Sequence, residues 1–190
     1  MSFGHTYLLP AVIAMSALGA HGAAAQTMEF GCPAPATKMT NSAGATITFG
    51  KQDGFFCKIE HSALGSGDIY ALMYFFNDAR RRDPSVAKYI SPIAVERLWP
   101  LSVGKRHQGE AVLGDGTYAL QYTVTGTEVL ATPMGPQTTF VVELKESSPN
   151  GYGASQKWWI SPTFKYVLKS EFKDSRGANV SIHVTSVRAP

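Results

Sequence analysis

What this chain has little of narrows its reading first. Its 190 residues include two cysteines, and 17 Lys plus Arg set against 14 Asp plus Glu leave a net charge of only +3. Nucleic-acid binding normally shows as a clustered basic face. The one cluster here, Arg80, Arg81 and Arg82, sits between Asp78 and Asp83 and reads as a solvated turn or helix end. No nucleic-acid partner is expected. The sequence has no Walker A loop, no dinucleotide-binding glycine pattern and no H-x-x-x-H or H-E-x-x-H spacing. Neither a cofactor nor a metal therefore has support from spacing. Gly65-Ser66-Gly67 is a bare turn that lacks the strand-to-helix frame of a nucleophile elbow. C-x-x-C is absent too, which argues against a redox pair.

Long apolar runs are also missing. The longest early run, "LLPAVIAMSALGA" at residues 8–20, is too short to cross a hydrocarbon core of about 30 Å comfortably. It lies within 25 residues that hold no Lys, Arg, Asp or Glu, and Ala23-x-Ala25 closes that stretch. These are the marks of a signal peptide with a small-residue cleavage site. The expected organisation is a signal peptide over residues 1–25 and one domain over residues 26–190. The mature chain would be periplasmic or secreted, and not an integral membrane protein. In an exported chain an even cysteine count points to a structural disulfide, Cys32–Cys57. It would stabilise the fold by about 3 kcal/mol on the chain-entropy argument.

What is present is a period of two. In "TYALQYTVT", Tyr118, Leu120, Tyr122 and Val124 take one parity and the polar residues take the other. "QTTFVVELK" alternates Thr138, Phe140, Val142 and Leu144 with Thr139, Val141, Glu143 and Lys145. In "KWWISPTFKYVLKSEFKD", Phe164, Tyr166, Leu168 and Phe172 oppose Lys165, Lys169 and Lys173. Trp158 and Trp159, adjacent in a strand, must face opposite sides. "GATITFG" and "GFFCKIEH" make a hairpin, "DIYALMYFFN" reads as one buried strand, and "GDGT" is an Asp-Gly hairpin turn. About nine strands are expected, joined by short turns and therefore antiparallel. A short helix is expected from Pro92 to Leu98, capped by Ser91. The predicted fold is mainly all-β: an antiparallel curved sheet, half-barrel or barrel-like, with one short helix.

Three segments of the second half carry a resemblance: "LWPLSVGKR", "TVTGTEVLATPMGPQTTFVVEL" and "WWISPTFKYVLKSEF". In this order they resemble uncharacterised exported bacterial proteins with a β half-barrel fold, related in shape to envelope lipoprotein carriers. The resemblance covers roughly residues 98–187. It implies the fold and brings no catalytic residues with it.

Function is left between two classes. An excess of inward aromatics suits a non-enzymatic envelope protein that binds a lipid or another apolar or amphipathic ligand. The same features suit a structural or assembly factor with an envelope protein partner and no small ligand. Arg80–Arg82 or an open sheet edge would hold such a partner. An anionic partner for Lys165, Lys169 and Lys173, a lipid head group or a polysaccharide, competes with plain solvation of exposed lysines. An enzymatic site would have to be drawn from His107, Glu110 and His183, and no catalytic residue is assigned. His61 stands apart, and Glu128 and Glu143 are expected on outer, solvated positions.

Overall fold

A computed structural model describes residues 26–113 and 116–190. The leader at residues 1–25 and the Gly114-Asp115 pair of the "GDGT" turn lie outside the described residues. The chain runs through β1 (Thr27–Met28), β2 (Lys38–Asn41), β3 (Thr46–Asp53), β4 (Phe56–His61), β5 (Gly65–Tyr70) and β6 (Tyr74–Asn77). Two helices follow, α1 (Asp78–Arg81) and α2 (Pro84–Ile93), then a 3-10 turn at Val95–Leu98. The second half holds β7 (Leu101–Ser102), β8 (Arg106–Leu113), β9 (Gly116–Thr132), β10 (Gly135–Ser147), β11 (Gly153–Ser161), β12 (Tyr166–Asp174) and β13 (Asn179–Arg188).

Eleven of these strands form one antiparallel sheet in the order β6-β5-β4-β3-β2-β13-β12-β11-β10-β9-β8, and β1 pairs with β7. The sheet is open, with β6 and β8 as its edges, as expected of a curved half-barrel. Each half is a meander of sequence neighbours. The two halves join where β13 pairs with β2, Val187 opposite Met39.

Alternation places the core. Tyr118, Leu120, Tyr122 and Val124 of β9 are buried while Thr117, Ala119, Gln121 and Thr125 are exposed. Cys57 and Ile59 do the same in β4. From the two halves, Phe49 and Tyr166 meet edge to face with ring centroids 4.9 Å apart. Cys32 and Cys57 stand with Cα atoms 5.6 Å apart and sulfurs 1.93 Å apart, joining the N-terminal segment to β4.

Three local expectations are corrected. "DIYALMYFFN" is two strands, because Ala71 and Leu72 take positive φ (49° and 65°) and turn the chain between β5 and β6. The helix begins at Pro84, not Pro92. Asp83 is its N-cap, accepting from the Ser85 amide, with proline at the first position. Pro92 lies near the C-terminal end of that helix, and Val95–Leu98 is a 3-10 turn. Thirteen strands among the described residues replace about nine. The extra ones include β2 and the two-residue pair β1 and β7, too short for a periodic pattern to show.

Candidate functional site

The inner face decides whether this sheet encloses a ligand. Tyr122, Phe140, Leu168, Val124 and Ile160 are all at most 1% exposed and fill the curl. A space at the seam of β2, β13 and β12, reached by Met39, Ile47, Leu168 and Val184 from the inner side and by Val167 and His183 from the other, is about 70 Å³. Ligand pockets run to about 300–1,000 Å³, so this space suits one or two waters. A recess of about 380 Å³, inside that range, lies between the Pro33-Ala34 segment, Phe164 and Ala189 and reaches down to buried Thr37 and Met39.

Helix α2 closes the opening between the two sheet edges. Ile93 is fully buried, and its carbonyl is 2.8 Å from His107 Nε2 on β8. The His107 ring stacks on Tyr122 at 6.0 Å. The Tyr74 hydroxyl of β6 bonds the Tyr122 hydroxyl of β9, tying one edge to the other wall. Burial raises the pKa of both tyrosines, so the pair stays neutral. Glu146 leaves β10 on this face and adds negative field at Tyr74, Tyr89 and Tyr122. Half-buried, it is pushed above the usual carboxylate range by burial alone. Sequence reading missed Glu146, because parity there signals only "inward" and a lone acid gives no motif.

The opposite face of β8 to β12 is polar and grooved. Register sets two parallel rows across it. Gln108, Gln121, Lys145, Ser155 and Lys173 form one row; Arg106, Thr123, Glu143, Lys157 and Glu171 form the other. Three grooves score this face, of about 640, 240 and 220 Å³, and all share Lys145. Some of its charges are already paired. Lys157 Nζ reaches Glu128 at 3.2 Å and Glu143 at 3.9 Å, and Lys169 Nζ reaches Glu171 at 2.7 Å. That last contact, with Lys173 and Lys157 nearby, holds Glu171 below the usual carboxylate range. Arg106, Lys145 and Lys173 have no acidic side chain within ion-pair distance among the described residues.

Beside these rows lies a clasp that explains the tryptophan pair. Trp158 faces the core; Trp159 faces the other way yet is only 4% exposed. A bulge shifts the β9–β10 register between Val141 and Val142, where Gly126 stands opposite. The hairpin beyond it carries Glu128, which accepts a 2.7 Å bond from the Trp159 indole. Lys157 and Lys169 stand over the Trp159 ring at 4.7 and 4.4 Å. The indole bond and then Lys157 hold Glu128 below the usual carboxylate range.

Acid should therefore loosen the clasp. A depressed folded pKa means the contribution is full above the unfolded value, about 4.3, and is lost as pH falls through the folded one. Tryptophan emission followed from about pH 7 to about pH 2 is expected to show a step below the ordinary carboxylate range. Glu128→Gln should lack that step; identical curves for the two proteins would rule the clasp out.

The other sequence candidates scatter. His107 faces inward, Glu110 lies on the outer parity of the same strand, and four strands separate β8 from His183 on β13. They do not form a site, and no metal-holding group of His, Cys, Asp and Glu occurs among the described residues. His61 accepts from the Ala63 and Leu64 amides and caps a turn. Ser66 of the Gly65-Ser66-Gly67 turn donates to Glu60. Arg80 to Arg82 end α1, and Arg81 lies 3.4 Å from buried Asp68 and over the Phe56 ring. Lys165 does not share a face with Lys169 and Lys173. It sits in the β11–β12 turn at φ 51°, its side chain against Gly31.

Residues 92–182 match the family described as "Protein of unknown function (DUF3108)". The match runs from the end of α2 into β13 and takes in the whole grooved face. No curated protein matches the chain. Among solved structures, the hypothetical lipoprotein YmcC of Escherichia coli K12 is similar at 12% identity and a TM-score of 0.44. That likeness covers 81% of this chain and 84% of the other. A protein of Bacteroides fragilis, described as exported with a YmcC-like fold, is 10% identical at a TM-score of 0.40, over 86% of this chain and 100% of that one. A lipoprotein of Parabacteroides distasonis is 12% identical at 0.41, over 85% and 99%.

Proposed function

We propose that this is an exported, non-enzymatic β half-barrel that serves the cell envelope through its surface, as a structural or assembly factor with no ligand inside. On this reading residues 1–25 are removed, residues 26–190 act as one domain, and Cys32 and Cys57 are disulfide-bonded. One observation carries the choice against an apolar-ligand carrier. Tyr122, Phe140, Val124, Ile160 and Leu168, at most 1% exposed, fill the centre of the curl, and the larger recess, about 380 Å³, lies off that centre beside Pro33, Phe164 and Ala189. Buried Tyr, Phe and Leu side chains occupy the place where an acyl chain would lie.

Native mass spectrometry on protein recovered from the cell envelope tests every part. The expected species begins at Gln26, carries two hydrogens fewer than the dithiol and has no added lipid mass. A stoichiometric lipid adduct that survives gentle purification would overturn the surface reading. A chain retaining Met1 would overturn export, and two alkylatable thiols would overturn the disulfide.

A further inference from the structure

We infer that the recess between the Pro33-Ala34 segment and the β11–β12 turn is a binding site for a small amphipathic carboxylate, a short apolar body with one anionic head. The recess opens on the surface, apart from the filled centre of the curl. The inference therefore goes beyond the surface-acting reading and does not rest on it.

The first argument is the shape and lining of the recess. Its volume of about 380 Å³ lies at the low end of ordinary ligand pockets, about 300–1,000 Å³, which keeps the ligand small. Pro33, Ala34, Met39, Phe164 and Val187 give it apolar walls, and Cys32 of the disulfide borders it. Pro33 and Met39 are buried, so the walls belong to the packed rim of the core. Such walls hold a hydrocarbon body without orienting it. Orientation falls to the few polar groups a pocket contains.

The second argument is a hydroxyl. Thr37 lines the recess with only 6% of its surface exposed. Its amide donates to the Ala34 carbonyl, and its own carbonyl accepts from the Phe49 amide. Its hydroxyl has no hydrogen-bond partner among the described residues, yet it is not sealed from solvent. A nearly buried hydroxyl that faces a cavity is free to donate to a ligand.

The third argument is charge. Lys165 is the one charged side chain that lines the recess, and no acidic side chain does. No acidic group stands within ion-pair distance of its ammonium among the described residues. Its placement is specific. The residue stands at φ 51°, a left-handed conformation that is costly for a non-glycine residue. Its Nζ comes within 3.2 Å of the position a Cβ on Gly31 would take, so the bare Gly31 makes room for it. An unpaired ammonium beside apolar walls, with no acidic side chain present, selects an anion that carries an apolar body. An amine meets repulsion there, and a neutral alcohol lacks the charge-assisted bond.

Octanoate titrated into the envelope-derived protein, followed by calorimetry, tests the inference. Octanol and octylammonium keep the chain and change the head; acetate keeps the head and drops the chain. Saturable binding of octanoate is expected, about tenfold or more tighter than that of any of the other three. Lys165→Gln should weaken it by about tenfold or more, since a bond to a charged group is lost. Ala34→Trp, which fills the recess, should abolish it. Both positions are exposed, so neither change reaches the core. Lys88→Gln, on the exposed side of α2, should leave binding unchanged. Octanol or octylammonium binding as tightly as octanoate would overturn the inference, as would indifference to Lys165→Gln or to Ala34→Trp. Silence toward every probe would also overturn it. That result would leave the surface-acting reading standing, because that reading answers to the lipid-free mass.

Discussion

Gly109→Val is expected to unseat helix α2 and cost about 3 kcal/mol, the upper end of ordinary overpacking. A Cβ at Gly109 would lie 2.7 Å from the Ile93 carbonyl oxygen and 2.9 Å from both Ile93 Cα and the Pro92 oxygen. These are backbone atoms of a helix end that cannot rotate aside. Either the helix lifts from β8 or the strand bows outward. Both break the His107–Ile93 contact and open the gap between the sheet edges. Urea midpoints give the size of the loss, and limited proteolysis across residues 84–98 gives its place. Gly126→Ala is the control. Nothing lies within 4 Å of a Cβ there, so its change should stay within about 0.5 kcal/mol. A Gly109→Val midpoint equal to the Gly126→Ala one would show that α2 does not rest on this strand.

Phe140→Ala is expected to cost about 3–5 kcal/mol, the usual penalty for emptying a buried phenylalanine site. Phe140 is fully buried, paired with Ile160 on β11 and Thr127 on β9. The vacated volume would be lined by apolar side chains and stay dry, and such cavities take up benzene-sized molecules. The variant should therefore bind a small apolar probe that the wild type refuses, as calorimetry or probe-induced stabilisation would reveal. The pair of measurements bears directly on function. If the wild type takes up the probe as well as the variant does, the interior is a pocket and the surface-acting reading falls.

How far the sequence spoke for itself depends on the range of the signal. Strand parity is local, so the burial of Tyr118, Leu120, Tyr122 and Val124 was legible, and so was the opposite facing of Trp158 and Trp159. Parity fails where the ladder slips. The bulge between Val141 and Val142 swings the β9–β10 hairpin over Trp159, and nothing in the alternation announces a lid on the outer side. Lys165 fell to the same limit: the turn at residues 162–165 takes it out of the strand. Asp83-Pro84 was as good a helix start as Ser91-Pro92. What chose between them is the seating of Ile93 on Gly109, a contact between elements that no window of sequence contains. The grooved face was half legible. Its lysines were visible, and so was Glu171 two residues from Lys169 on one strand, but the partners of Lys157 come from β9 and β10. Only register shows that Arg106, Lys145 and Lys173 are left over.

The union of β2 with β13 has a consequence for how this chain is made. Lys38 sits opposite Arg188, so the strand that completes the middle of the sheet is synthesised long after β2. Until it arrives, β2 waits with a bare hydrogen-bonding edge, and such an edge is a template for wrong partners. Pairing across that sequence distance is also slow. The nascent protein thus has a vulnerable interval that closes only when β13 is made, and a chain lacking β13 would keep two separate meanders where the protein has a single sheet.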